Sequence, residues 1–209
     1  IALIAFAICA LVVTGIIYEW IRGVRSRHRK GEAYPAAFIK LIASNRPRYG
    51  GYIIHLGIIM LTAGAVGSSF FSAQRDDAMH PGDEASFGGY TFRYVNVMKM
   101  EFADRVEETA IINVYADDRF IGEMNPHRAV YPTFNIAATR GAIKSTPFED
   151  FYIVPSEFGD DGQAVFRVLI NPMVWWMWAS GPVILLGGLI ALSPQPRPRL
   201  KTLESKPYE

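Results

Sequence analysis

The sequence predicts an α+β membrane protein: three transmembrane helices, with an external small β-barrel or β-sandwich domain between the second and third. Three observations carry this. Apolar residues gather in three blocks, "IALIAFAICALVVTGIIYEWI", "RPRYGGYIIHLGIIMLTAGAVGSSFF" and "MVWWMWASGPVILLGGLIAL", each near the roughly 20 residues needed to cross a hydrocarbon core about 30 Å thick. Charge divides along the same lines: residues 22–48 hold eight Lys/Arg against the single acid Glu32, whereas residues 72–171 hold nine Lys/Arg against sixteen Asp/Glu. That acidic segment also breaks into short alternating runs separated by Gly, Pro and Asp, the pattern of half-buried strands joined by turns.

The first span is expected over residues 1–21. No basic region precedes it and no small-residue cleavage site follows, so it reads as a span rather than a signal peptide. Its abrupt start at Ile1 suggests the tail of something longer, or one half of a split protein. Cys9, the only cysteine, lies inside it, so no disulfide can form within the chain and Cys9 reads as a small apolar residue. Tyr18 and Trp20 suit the interfacial belt at the inner end.

Residues 22–48 then form a basic loop, cytoplasmic by the positive-inside rule. Its arginines read as solvated topology determinants rather than an anion site. Within it, "YPAAFIKLIAS" places Phe38, Ile39, Leu41 and Ile42 on a turn or two that could lie in the headgroup plane.

The second span, residues 49–71, carries His55. The external domain occupies residues 72–172. "GGYTFRYVNVMKMEF" alternates Tyr90, Phe92 and Tyr94 with Thr91 and Arg93, and "ETAIINVYADDRFIGEMNP" reads as two strands around Asp117-Asp118-Arg119. Five to seven short strands are expected. The third span covers residues 173–193, with Trp175, Trp176 and Trp178 in its outer belt, and a basic cytoplasmic tail occupies residues 194–209.

No dinucleotide fingerprint, P-loop, HExxH or paired CxxC occurs. The candidates for chemistry are therefore four histidines. His28 sits among arginines and reads as one more polar residue. His80 and His127 fall in turns of the outer domain, with no acid at a ligand spacing. His55 differs because it lies about 8–10 Å along a helix from Tyr49, within or at the edge of the hydrocarbon, where an imidazole needs a partner. Its helical face carries Gly51, Ile58, Ile59, Thr62 and Val66. The ring leans back over Gly51, where the missing side chain leaves room for something flat and large. Residue type and depth leave three readings open: a hydrogen bond to a neighbouring helix, haem ligation, or a proton relay. Ala63–Gly67 and Gly64–Ser68 are small-xxx-small pairs suited to close helix packing.

"RYGGYIIHLG" opening a span, a β-rich outer segment, and "NPMVWWMWASGPVILLGGLIAL" closing into a tail bearing proline and arginine together resemble the C-terminal part of the CcmF family of cytochrome c-type biogenesis proteins. The resemblance covers essentially this whole chain, but only the last third or so of a family member. It implies a haem lyase subunit of the bacterial inner membrane with its β domain on the periplasmic side. Such proteins hold a haem b between two transmembrane histidines. They bind incoming haem at a tryptophan-rich external segment flanked by two histidines, and attach it to the CxxCH thiols of apocytochrome c. The resemblance makes His55 one axial ligand of the membrane haem iron. It implies as partners the upstream CcmF segment or a split partner chain, CcmH/CcmI-like subunits, a CcmE-like haem chaperone and apocytochrome c. The tryptophan-rich motif and a second transmembrane histidine are not in this sequence, so this chain supplies one ligand and does not ligate haem alone; the catalytic residues stay unknown. His80 and His127 are not assigned to the external pair. The competing reading is a membrane-anchored structural or interaction subunit that binds no haem. A transporter subunit is a weaker third, because three spans offer no inverted repeat.

Overall fold

The computed structural model describes residues 1–159 and 161–194. The tail from 195, with the end of the proline-spaced "SPQPRPR", lies outside the described residues. Three helices are long and apolar enough to cross a membrane: α1 (Ala2–His28), α3 (Arg46–Phe70) and α4 (Val174–Leu192). A shorter helix, α2 (Tyr34–Ser44), sits between α1 and α3. The stretch expected as a loop is thus mostly helical. α1 continues past residue 21 because "RGVRSRH" contains no proline and its basic last turn suits a helix C-terminus. α2 starts where Pro35 falls in its first turn, a position that needs no backbone N–H.

The described residues divide into two compact units, one made of Ile1–Phe6 with Met60–Trp178, the other of Ala7–Ile59 with the described residues from Ala179. The first unit contains ten strands in two antiparallel sheets: β1 (Ala73–Met79), β2 (Glu84–Phe87), β3 (Tyr90–Glu101), β4 (Val106–Ala116), β5 (Arg119–Met124), β6 (His127–Tyr131), β7 (Ile136–Arg140), β8 (Ala142–Ser145), β9 (Glu149–Phe158) and β10 (Ala164–Pro172). One sheet runs β1-β10-β9-β8; the other runs β2-β3-β4-β6-β7, with β5 paired to β4. Their inner faces share one core, so of the two architectures expected the domain is a sandwich. Tyr90 stacks on Phe151 and Tyr94 meets Phe166 edge-on, each contact joining one sheet to the other. Phe92, Tyr94, Ile112, Phe151, Ile153, Phe166 and Val168 are fully buried. The alternation visible in "YTFRY" is the alternation of burial along β3.

More strands form than the five to seven expected. The additional ones are polar or short: β1 is "AQRDDAM" and β2 is the four-residue "EASF". Backbone pairing rather than burial makes them strands, so no hydrophobic period marks them. The β4–β5 turn places Asp117 and Asp118 both at positive φ, 48° and 60°, the twist that a two-residue hairpin requires and aspartate tolerates. At the other end of the domain, Met173 has φ 61° and its N–H donates to the Phe148 carbonyl at 2.7 Å. Trp176 Nε1 donates to the Pro147 carbonyl at 2.9 Å, so this belt tryptophan ties the first turn of α4 to the β8–β9 loop.

Candidate functional site

α3 has two distinct faces. Gly50, Gly57 and Gly64 recur every seven residues and therefore share a face. In the second unit, a Cβ at Gly50 would lie 2.6 Å from Ala191 N, and one at Gly57 would lie 2.5 Å from Ile184 Cγ1. Gly187 of α4 returns the approach, with Ile54 N 2.7 Å from where its Cβ would stand. In the first unit, Gly64 and Gly67 meet Met173 and Met177 in the same way. The small-residue pairs seen in the sequence end this stripe; the heptad of glycines running through it was the signal that sequence reasoning missed.

His55 lies on another face, about 140–160° round the helix from Gly50 and Gly57 at 3.6 residues per turn. Its side chain is exposed, and its Nδ1 is 2.8 Å from the Gly51 carbonyl one turn back. A carbonyl only accepts, so Nδ1 carries a proton, and in the neutral ring Nε2 is then the nitrogen with a lone pair. The partner of Nδ1 is therefore the histidine's own helix. Nothing lies within 4 Å of where a Gly51 Cβ would stand, so the space beside the ring is open. Ile58 and Ile59 continue the face with apolar surface. Towards the helix start, Arg48 donates to the Tyr52 hydroxyl at 2.9 Å and pairs with Glu19 of α1 at 2.6 Å.

An exposed imidazole tied through Nδ1 to its own apolar helix, beside the open space at Gly51, has the chemistry a haem iron would need in a ligand. The residues present fit that group.

The other histidines are not gathered here. His28 Nδ1 is 2.8 Å from the Glu32 carbonyl and its ring stacks on Tyr34 with centroids 3.9 Å apart, closing the turn between α1 and α2. His80 lies between Asp83 and Asp161 at 3.9 and 3.8 Å. His127 on β6 lies 4.0 Å from Glu107 on β4. Among the described residues no three His, Cys, Asp or Glu side chains are grouped to hold a metal ion.

Residues 70–172 match the family model described as the CcmF C-terminal β-sandwich. The chain belongs to the CcmF family. It is 33% identical over 158 residues to the cytochrome c-type biogenesis protein CcmF of Pseudomonas aeruginosa, covering 75% of this chain and 24% of that protein. It is 24% identical over 201 residues to the probable cytochrome c-type biogenesis protein NrfE of Escherichia coli, covering 88% of this chain and 36% of the relative. A solved structure, the cytochrome c haem lyase CcmF, superposes with a TM-score of 0.59 at 17% identity over 87% of this chain, a likeness of fold. The chain spans about a quarter to a third of the length of the CcmF-family proteins it matches.

Proposed function

We propose that this chain takes part in attaching haem to apocytochrome c, with His55 as one axial ligand of a haem b held in the membrane. The observation that carries the reading is the exposed His55 ring, tethered through Nδ1 to the Gly51 carbonyl. A bound haem supplies an iron that exchanges single electrons, the chemistry needed to keep an incoming haem reduced while thioethers form. The chain's own residues do the rest. Gly51 gives up its side chain so that a flat group can lie against the helix. Its carbonyl holds the imidazole tautomer and raises its basicity. Ile58 and Ile59 keep water from the ring edge. The second ligand comes from an upstream CcmF segment or a split partner chain.

The β-sandwich belongs, in this reading, on the periplasmic side of the inner membrane as a docking surface for apocytochrome c, CcmH/CcmI-like subunits and a CcmE-like haem chaperone. Phe134 and Phe148 are 70% and 77% exposed on that domain, apolar surface suited to a partner. The same exposure favours the second reading, an anchored interaction subunit without haem.

The two readings separate by colour. The assembly of this chain with its upstream segment should give a b-type reduced-minus-oxidised spectrum that His55→Ala abolishes or shifts while the complex stays intact. An unchanged spectrum, or a colourless complex, would leave His55 as a surface residue and the domain as an anchor.

A further inference from the structure

The arginines at the end of α1 do more than set topology. Arg22 and Arg25 stand at i and i+3 on one face of α1, and Arg29, in the turn directly after it, continues that face by donating its N–H to the Arg25 carbonyl at 3.1 Å. With Tyr18 and Ser26 they border a groove of about 440 Å³. Arg22 is 3.5 Å from Glu19, but Arg25 and Arg29 have no ion-pair partner among the described residues. Around the helix, a second groove of about 310 Å³ runs between α1 and α2, walled by Ile17, Trp20, Val24, Tyr34 and Phe38. Trp20 and Phe38 pack edge-on with centroids 5.4 Å apart, and His28 stacked on Tyr34 holds the opposite wall. Both grooves share Ile21 and Arg25. A cationic groove and an apolar groove therefore meet at one arginine, where a hydrophobic helix emerges into a basic segment.

We propose that this junction is a binding site for one anionic phospholipid. Its phosphate is held by Arg25 with Arg22 and Arg29, and one acyl chain lies in the groove between α1 and α2. Charge complementarity selects the occupant: the polar half of the site is cationic, and guanidinium forks match phosphate oxygens. The apolar half selects a lipid over a free anion. Arg27 does not contribute, being 3.7 Å from Glu32. The proposal is independent of the haem reading.

The test is native mass spectrometry of the full chain in its assembly, delipidated and then offered phosphatidylglycerol or phosphatidylcholine at equal mole fraction. Retention of phosphatidylglycerol should exceed that of phosphatidylcholine at least fivefold. Arg25→Gln should reduce the preference to about one, while Lys30→Gln, which removes the same charge from the adjoining turn, should leave it in place. Glycerol 3-phosphate, which has the phosphate but no acyl chain, should not displace the bound lipid. Helical circular dichroism of Arg25→Gln should match that of the parent; if it does not, Val24→Phe, which fills the apolar groove and leaves the arginines, should lower retention in its place. Equal retention of the two lipids would overturn the proposal. So would equal losses for Arg25→Gln and Lys30→Gln, which would show diffuse attraction, and so would displacement by glycerol 3-phosphate.

Discussion

Gly51 and Gly57 stand six residues apart on α3 and differ in what surrounds them. A side chain at Gly51 meets nothing within 4 Å, whereas one at Gly57 runs into Ile184. Gly51→Leu should therefore leave the stability of the assembly within about 0.5 kcal/mol and yet remove the b-type absorbance, because the leucine takes the space beside His55. Retained absorbance in Gly51→Leu would place the haem elsewhere. At Tyr90 the ionisation itself is informative. Burial, reinforced by a hydrogen bond to Glu149, pushes its phenol up to about 12. An acid group raised in the folded state stabilises it fully below the unfolded value near 10, and loses that contribution as pH rises through the folded one. Domain stability should thus fall between about pH 10 and 12, less steeply in Tyr90→Phe. Parallel alkaline profiles for the two proteins would contradict this.

The helices and strands show what close approach costs. A Cβ at Gly50 would strike Ala191 N and the Gly187 carbonyl, backbone atoms that cannot rotate aside. Gly50→Ala should destabilise the helical bundle by about 1–3 kcal/mol, while Gly188→Ala, which meets nothing, should be close to neutral; SDS titrations of both variants compare them directly. In the sandwich, Asp76 of β1 faces Arg167 of β10, joined by hydrogen bonds of 2.8 and 2.9 Å. Arg167 holds the Asp76 carboxyl below its ordinary range. The contribution is present above that range and is lost as pH falls through the folded value, so the difference in melting temperature between wild type and Asp76→Asn should shrink on acidification. A difference that does not change with pH would mean that the pair is not coupled to folding. These elements also show what the sequence made legible. The spans were readable as apolar runs of membrane length, and β3 and β4 because burial imposes a period on them. β1 was not, because its exposed residues pair without a hydrophobic period. The lean of the His55 ring toward Gly51 was readable from helix geometry; that it ends in a contact between Nδ1 and the Gly51 carbonyl needed coordinates.

Across the whole molecule, the positive and negative segments are divided by helices long enough to span a membrane. Residues 22–48 have a net charge of +7 and residues 72–171 of −7, counting eight bases against one acid and nine against sixteen. By the positive-inside rule, the proposed topology puts the two segments on opposite sides, with the sandwich outside. The docking role proposed for the sandwich depends on that assignment. Cys9 is the only cysteine, so Cys9→Ala gives a background in which single cysteines report sidedness. On that background Ser156→Cys, at an exposed position of β9, should react with an impermeant maleimide added to spheroplasts. Lys30→Cys, in the exposed turn after α1, should react only after lysis. If both cysteines react from the same side, α3 does not cross the bilayer, His55 is not at membrane depth, and the haem reading fails together with the topology.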